Sequence, residues 1–271
     1  MIDKIKDAAE ELLYDFELEG KSKNTIRVYK NVLDQFIKKI KKRPPENEEQ
    51  LVKAMKTFLA RKRRLGRSDK TIHLYTIVLR TLLEYLEIPK DQIKTPKVDQ
   101  SLPKALSEEE LKKFLKVVDN PKYKLIIELL YKTGMRISEL LNLKVKDIDL
   151  DTGKIIVCGK GKKERVVYID KDMIEKIKHY KKGRSGRLFP MTQHAVQAYF
   201  RRKRKEAGLD EKVTPHALRH TYATRLLELG MDIRLIKELL GHSDISTTQI
   251  YTKVSEKQLK KEVLKRLKKL L

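Results

Sequence analysis

Residues 214–254 read TPHALRHTYATRLLELGMDIRLIKELLGHSDISTTQIYTKV, and this stretch decides how the rest of the chain is interpreted. It opens with Thr214-Pro215, which predicts the start of a helix, because threonine caps helices and proline suits their first turn. His216 and Arg219 then lie three residues apart on one face, close to the positive end of that helix. A guanidinium beside an imidazole suits a phosphate, which accepts two hydrogen bonds from the arginine and one from the histidine.

Two further polar side chains follow in the same stretch. Apolar residues at helical spacing continue to Leu240, and Gly241 predicts the end of that second helix. His242 then lies in the turn that leaves the helix, and Tyr251 follows nine residues later. Each residue alone has an ordinary interpretation: a helical His-x-x-Arg is usually a solvated face, a turn histidine is usually structural, and the chain has eleven tyrosines. The combination is what indicates chemistry.

Two upstream segments complete a recognisable pattern. Residues 133–140 read TGMRISEL and contain Arg136, while residues 157–167 read VCGKGKKERVV, a predicted β-hairpin with Lys160 near its tip. Together with the HxLRH, LGHS and tyrosine elements, these segments resemble the motifs of the tyrosine recombinases, the family of integrases and Xer-type enzymes. Four matches in the order of that family make coincidence a poor explanation.

The resemblance implies which residues are catalytic and what each does. The implied catalytic set is Arg136, Lys160, His216, Arg219, His242 and Tyr251. Tyr251 is then the nucleophile that becomes joined to a 3′ phosphate, while the two arginines and His242 stabilise charge on the non-bridging oxygens. His216 is the implied general base, and Lys160 protonates the departing 5′ oxygen. The phosphotyrosine keeps the bond energy, so no ATP, metal or other cofactor is expected.

Four further charged residues lie next to these motifs. Lys162 and Lys163 are near-equivalent candidates for the hairpin acid, and Lys160 is preferred because it matches the Gly-Lys-Gly position of the family. Glu139 and Asp147 lie near the arginine motif, and we interpret both as structural residues that orient an arginine or cap a helix.

The composition points to a polyanionic partner. The 271 residues include 63 Lys and Arg against 38 Asp and Glu, a formal net charge of +25, and most of this excess lies after residue 100. That charge exceeds what solubility requires and indicates nucleic acid. The alternatives are an anionic membrane surface and a lysine-rich thermophile surface. The second contributes, since Glu is abundant and Trp is absent, but a thermophile surface balances its charges.

Cysteine content and hydropathy restrict the class of protein further. The single cysteine, Cys158, excludes an internal disulfide and a Cys-based zinc site, and its place in an apolar predicted strand indicates a buried, inert thiol. Residues 1–20 are amphipathic and contain acidic groups, which does not fit a signal peptide, and no apolar run approaches a membrane span. We therefore expect a cytoplasmic, nucleoid-associated protein without membrane contact.

Helical periodicity and prolines predict two domains. Residues 1–95 are predicted to be helical, residues 96–104 to form an extended linker with two prolines, and residues 105–271 to carry the motifs on a mainly helical body beside a small antiparallel sheet. Later helices are expected at 171–182, 192–206, 214–229, 232–240 and 256–270. The last is amphipathic and covers the core of its own domain or, as in the resembling family, docks on a neighbouring protomer.

The N-terminal part resembles the core-binding domain of the same family, notably at Ser22-Lys23-Asn24-Thr25 and Tyr29. The resemblance covers nearly the whole chain. It implies a mainly α fold with a small antiparallel β-sheet, arranged as a two-domain, C-shaped DNA clamp with a helical core-binding domain and a tyrosine-recombinase catalytic domain. Two basic clusters are candidate phosphate contacts, namely residues 61–64 with Arg67 and residues 201–205.

The favoured function is that of a site-specific tyrosine recombinase of the Xer type, of archaeal or thermophilic character. The resemblance implies two double-stranded DNA sites, a homotetramer on DNA, a Holliday junction, and resolution of chromosome or plasmid dimers at dif-like sites. A mobile-element integrase remains open, as does the need for an accessory protein. A relaxing type IB-like topoisomerase would need neither sequence preference nor partner protomer. A non-catalytic DNA-binding protein would lose no activity when Tyr251 becomes Phe.

Overall fold

The computed structural model describes residues 1–98, 105–159, 164–183, 185–241, 256–267 and 269–270. The chain divides into two compact units, Met1–Ser101 and Leu102–Leu271, each with its own hydrophobic core. Residues 99–104 of the predicted linker lie outside the described residues, and its extended path stays a prediction. No helix in the described ranges is both long enough and apolar enough to cross a bilayer.

The first unit is a helical bundle. Its elements are α1 (Ile2–Leu18), α2 (Lys23–Ile40), α3 (Glu48–Arg64), α4 (Asp69–Tyr85) and a 3₁₀ turn at Lys90–Gln92. The oxygens of Ser22 and Ser68 accept hydrogen bonds from the third residue of α2 and α4, Thr25 and Thr71, at 3.1 and 3.3 Å. Ser22 is the N-cap residue of α2 and supplies its capping oxygen.

The last turn of α3 carries the predicted basic cluster. Lys62 extends over the rings of Phe58 and Tyr75, with its Nζ 5.1 and 5.8 Å from the two ring centroids, so part of this charge is held against the bundle. Arg63 forms an ion pair with Asp69 at 2.7 Å. The remaining cations of the cluster, Arg61, Arg64 and Arg67, are exposed. This end of the first unit therefore presents a basic surface.

The second unit surrounds a small sheet with helices. Its helices are α5 (Glu108–Val117), α6 (Pro121–Thr133), α7 (Ile137–Asn142), α8 (Lys171–Lys181), α9 (Gln193–Glu206), α10 (Pro215–Glu228), α11 (Ile233–Leu240) and α12 (Glu256–Leu267). Its strands are β1 (Ile148–Asp149), β2 (Lys154–Cys158) and β3 (Glu164–Tyr168), which pair antiparallel in that order. A capping box at Ser107, with Glu110 as its second member, begins α5. The mainly α fold with a small antiparallel sheet is thus confirmed.

Strands β2 and β3 form the predicted hairpin. Ile156 pairs with Val166, and Ile155 and Val157 are buried against the core. The hairpin tip, residues 160–163, lies outside the described residues. Cys158 is exposed, so the prediction of a buried thiol was wrong. Successive strand residues point to opposite faces, and Cys158 shares the outer face with Ile156.

Helix α12 packs against the core of its own unit. Its apolar side chains Leu259, Val263 and Leu267 are buried there. Arg266 donates from Nε to the carbonyl oxygen of Leu229 at 3.1 Å and from Nη2 to that of Gly230 at 3.0 Å. These carbonyls lie just beyond α10, so the arginine joins the ends of two helices. Of the two expected roles, covering the core is observed, and docking on a neighbour stays a prediction.

Candidate active site

The structure brings together the predicted site residues that it describes, close enough for the charges of the two arginines to act on the histidine. These are Arg136, His216 and Arg219. The three other predicted members, Lys160, His242 and Tyr251, lie outside the described residues and stay predictions. Arg136 occupies the position before the first turn of α7, while His216 and Arg219 lie in the first turns of α10, which begins with Thr214 and Pro215 as predicted. The Thr214 side chain makes no capping hydrogen bond.

Arg219 is buried between the ends of two helices and is only 4% exposed. Its Nη1 donates to the carbonyl oxygen of Gly134 at 2.6 Å, and its Nη2 donates to the carbonyl oxygen of Leu240 at 2.5 Å. Gly134 caps α6 and Leu240 is the last residue of α11. Helix C-termini carry partial negative charge, so both contacts are electrostatically favourable. They hold the guanidinium in one orientation.

Gly134 makes the close approach of α6 and α10 possible. Its φ of +62° lies in the left-handed region, and a Cβ at this position would lie 2.6 Å from Cδ1 of Tyr222 and 2.8 Å from Cδ2 of Leu240. No side chain fits there without movement of those neighbours. The glycine of the TGMR segment is therefore needed both for the helix end and for the space beside Arg219.

Arg136 is anchored at one side and open at the other. Its backbone N–H donates to Oε2 of Glu139 at 2.7 Å, and its Nη1 donates to Oε1 of the same residue at 2.8 Å. The Arg136 side chain is nevertheless 40% exposed. Such a guanidinium is preorganised by a buried carboxylate and still accessible to a phosphate. The interpretation of Glu139 as an arginine-orienting and capping residue is confirmed, and Asp147 likewise caps the Lys144 N–H at 2.9 Å.

A third arginine, Arg165, meets the same carboxylate. From strand β3 it donates through Nη1 and Nη2 to the two oxygens of Glu139, at 3.0 and 2.8 Å, and through Nε to the carbonyl oxygen of Leu239 at 2.7 Å. In the sequence, Arg165 is simply one residue of the predicted hairpin at 157–167. Three lysines precede it, and nothing in the linear pattern separates its charge from theirs.

The clustered charges shift the ionisation of their neighbours. Burial lowers the pKa of Arg219 to about 10, with the positive charges of Arg136 and Arg165 acting in the same direction and Glu139 acting against them. Burial of Glu139 opposes its ionisation, but the hydrogen bonds from Arg165 and Arg136 and the positive charge of Arg165 act against burial, and the pKa of Glu139 is lowered. The site thus holds more positive than negative charge, which favours a bound anion.

The surroundings of His216 favour the neutral form of its imidazole. Partial burial lowers its pKa, and the charges of Arg219 and Arg136 lower it further, with a smaller effect from His220. The residue is nevertheless exposed to solvent. A neutral, accessible ring can accept a proton, which is what a general base must do. The role of general base, which the family resemblance implies for His216, stays a prediction.

The five basic residues 201–205 differ in their burial and in their hydrogen-bond partners. Lys203 is buried and donates to Asp119 and to Glu206, each at 2.8 Å. Arg204 donates to backbone carbonyls of the loop that precedes α10. The other cations of the run, Arg201, Arg202 and Lys205, are exposed. The candidate phosphate-binding surface is accordingly smaller than five consecutive basic residues would suggest.

Two family matches together account for most of the chain. Residues 104–258 match the phage integrase family, and residues 10–88 match the phage integrase N-terminal SAM-like domain. The first match spans most of the second structural unit and includes its arginine cluster. The second covers the helical bundle of the first unit.

Individual relatives give the same picture. The chain is 40% identical to the tyrosine recombinase XerA of Pyrococcus horikoshii, with 96% of this chain and 93% of that one covered. It is 34% identical to XerD of Listeria innocua, over 89% and 91% of the two chains. A solved XerH recombinase bound to a palindromic difH substrate has a TM-score of 0.65 at 28% identity, covering 88% of this chain and 78% of that one. A Tn1549 transposon integrase bound to DNA has a TM-score of 0.68 at 21% identity, over 97% and 99%, which supports the fold.

Proposed function

The chain belongs to the phage integrase family and is a Xer-type tyrosine recombinase, and from that premise we propose that it recombines two related duplex DNA sites as a homotetramer. The observation that carries this proposal is the convergence of Arg136, Arg219 and His216 on one cationic site. Two guanidiniums from segments far apart in the chain lie near an imidazole whose pKa they lower. That arrangement suits the phosphate of a DNA strand during cleavage.

Cleavage begins when the phenol of Tyr251 attacks the phosphorus of one DNA strand. The new bond joins the tyrosine oxygen to the 3′ phosphate, and the bond from phosphorus to the 5′ oxygen breaks. His216 takes the phenolic proton, which is needed because a tyrosine is protonated at neutral pH. Lys160 gives a proton to the departing 5′ oxygen. The reverse reaction with a 5′ hydroxyl from a second duplex releases Tyr251 and joins the exchanged strands.

The two arginines stabilise the pentavalent transition state. Negative charge gathers on the non-bridging oxygens as the tyrosine attacks, and preorganised guanidiniums interact more strongly with that state than with the starting diester. Arg136 suits this role because Glu139 holds its guanidinium in place while the Arg136 side chain remains accessible. His242, which follows the glycine that ends α11, adds a hydrogen bond to the same oxygens. The energy of the cleaved bond is kept in the phosphotyrosine.

The cellular role in this proposal is resolution of chromosome or plasmid dimers at dif-like sites. Two successive strand exchanges pass through a Holliday junction and require four protomers. In this proposal, recombination takes place in the cytoplasm, at the nucleoid. Relatives that carry Xer names and a XerH structure with a difH substrate support this role over that of a mobile-element integrase. The likeness to a transposon integrase is low in identity and concerns the fold.

A nicked suicide substrate tests the proposal directly. A nick close to the cut lets the short 5′ product diffuse away, so religation fails and the covalent adduct accumulates. We expect wild-type protein to form a DNA adduct from a library of fragments of its genome, and the trapped fragments identify the site. Mass spectrometry should locate the phosphate on Tyr251.

The matched control is Tyr251→Phe, which removes one oxygen. It should bind the recovered site and form no adduct. An adduct in this variant would place the nucleophile elsewhere. No adduct with wild-type protein, at salt low enough for binding, would contradict the proposed function.

A further inference from the structure

Arg165 connects three parts of the candidate site. It lies in β3, it binds both oxygens of Glu139, and it binds the last turn of α11. We propose that Arg165 is a positioning residue for strand cleavage, which sets the orientation of Arg136 through Glu139 and holds the end of α11 that leads to His242. This inference rests on the proposed function and assigns a role within it.

The first step of the argument is the shared carboxylate. Glu139 is 4% exposed at its side chain and accepts from Arg165, from the Arg136 guanidinium and from the Arg136 backbone N–H. A buried carboxylate with fewer donors moves toward those that remain or takes up a proton. Either response changes the contact that orients Arg136. The bidentate pair from Arg165 therefore determines where the Arg136 guanidinium lies.

The second step is the end of α11. Arg165 donates through Nε to the carbonyl oxygen of Leu239, while Arg219 donates to that of Leu240, the next residue. Gly241 follows at a φ of +63°, and a Cβ there would lie 2.9 Å from Cδ of Arg165. Two arginines thus hold successive carbonyls of this helix end, and one of them packs against the glycine.

The third step is the strand that carries Arg165. Arg165 pairs with Val157 across the hairpin, and Val157 is buried in the core. Lys160 lies three residues after Val157 in the sequence. The contacts of Arg165 with Glu139 and Leu239 therefore attach the hairpin to the same two elements that hold Arg136 and Arg219.

Arg165 acts through these residues and not on the phosphate itself. Its side chain is 9% exposed, and each of its three nitrogens donates to a protein oxygen. Arg136, with 40% of its side chain exposed, is the accessible cation of the pair that shares Glu139. This contrast in exposure separates the residue that positions from the residue that binds.

The test uses the full-length protein and a defined nicked duplex carrying the recovered site. Arg165→Met keeps the aliphatic stem and removes the guanidinium, and Arg165→Lys keeps the charge but not the fork. At saturating DNA, we expect both to lower the first-order cleavage rate constant by about 10- to 100-fold, the loss that a displaced catalytic group typically causes. The dissociation constant for DNA should stay unchanged. The control is Lys132→Met, which removes an equally buried cation bound to Asp170 at 2.8 Å and should leave the rate constant unchanged.

A second substrate distinguishes positioning from a general loss of structure. A methylphosphonate at the cleaved linkage replaces one charged non-bridging oxygen by a methyl group, so less charge needs stabilisation by Arg136. If Arg165 acts through Arg136, the ratio of wild-type to Arg165→Met rate constants should be smaller on the methylphosphonate than on the phosphate. An equal ratio on both substrates overturns the inference.

Three other outcomes are equally decisive. Wild-type rate constants in folded Arg165→Met and Arg165→Lys proteins overturn the inference and leave the proposed function intact. Failure of both variants to fold, judged by circular dichroism, assigns Arg165 to stability and also overturns it. A wild-type protein that forms no adduct contradicts the proposed function, and the inference with it.

Discussion

Arg219 donates a hydrogen bond of 2.6 Å to the carbonyl oxygen of Gly134, a residue 85 positions earlier in the chain. This one contact brings the HxLRH helix to the TGMR segment. Gly134 ends α6 two residues before Arg136, so the contact also brings the two arginines to the same end of α6. The predictions below follow from this arrangement and from the charges around it.

Arg219→Lys tests whether cleavage needs the two hydrogen bonds that the buried Arg219 guanidinium donates to helix-end carbonyls. Lysine keeps the charge but cannot bind two helix-end carbonyls in one plane, so the cation loses its fixed direction. We expect the cleavage rate constant at saturating DNA to fall by about 10²–10³-fold, as when one preorganised charge-stabilising group is removed. The matched control is Arg225→Lys on the same helix, whose partly exposed pair with Glu228 lies on the surface. An equal loss in both variants would show that the effect is not specific to the fork.

Gly134→Ala tests the space beside Arg219. Alanine at a φ of +62° is strained, and its Cβ would meet Tyr222 and Leu240 at 2.6 and 2.8 Å. We expect the free energy of unfolding to fall by about 2–4 kcal/mol, measured with urea, from the sum of backbone strain and overpacking. Gly208→Ala is the control, since its φ of +66° carries the same backbone cost with nothing within 4 Å of the added Cβ. Equal losses in the two variants would remove the packing argument.

The pH dependence of cleavage should report the His216 imidazole. The surroundings of His216 lower its pKa, so the ring stays neutral down to a pH below the ordinary value of about 6.5. Protonation below that pKa prevents it from accepting the Tyr251 proton, so the rate should be flat near pH 7 and fall as the pH drops below about 6.5. An NMR titration of the free protein checks the pKa without using activity. A value above that of a model histidine would contradict the charge cluster described here.

Ionisation of Glu139 should contribute to acid stability with a defined sign. Its pKa is lowered in the folded protein despite burial, because Arg165 and the Arg136 N–H bind the charged form. A lowered pKa contributes stability that is present above the unfolded value of about 4.3 and is lost as the pH falls through the folded value. As the pH falls from about 5 to about 3, the free energy of unfolding should therefore decrease less for Glu139→Gln than for the wild-type protein. Parallel stability curves for the two proteins over this interval would contradict the assignment.

The basic run on α9 should divide into binding and structural positions. Arg201 and Lys205 are exposed, whereas Lys203 is buried with Asp119 and Glu206. The salt dependence of DNA binding is measured as the slope of log K against log [salt]. Replacing an exposed cation that contacts a phosphate by Ala should reduce the magnitude of this slope by about 0.9. Lys203→Met should leave that slope unchanged and lower the melting temperature instead. A slope change for Lys203→Met as large as those at the exposed positions would contradict this division.

Much of the fold was readable from local patterns. The caps at Ser68 and Ser107, the proline at the start of α10 and the glycines after α6 and α11 act within a few residues, and helix bounds followed them closely. Cys158 was misjudged because strand alternation decides its side, and a single apolar run does not show which side faces the core.

The residue types of the site, their order along the chain and the net positive charge came from the amino-acid sequence by itself, because motif spacing and composition are properties of a linear chain. The tertiary structure alone decided that Arg165 shares the carboxylate of Glu139 with Arg136, that Arg219 joins the ends of α6 and α11, and that Lys203 is withdrawn from the surface. Each of these depends on which distant segments pack together. Such pairing is set by burial and by the directional hydrogen bonds of guanidinium groups, and neither quantity can be read from neighbours in the sequence.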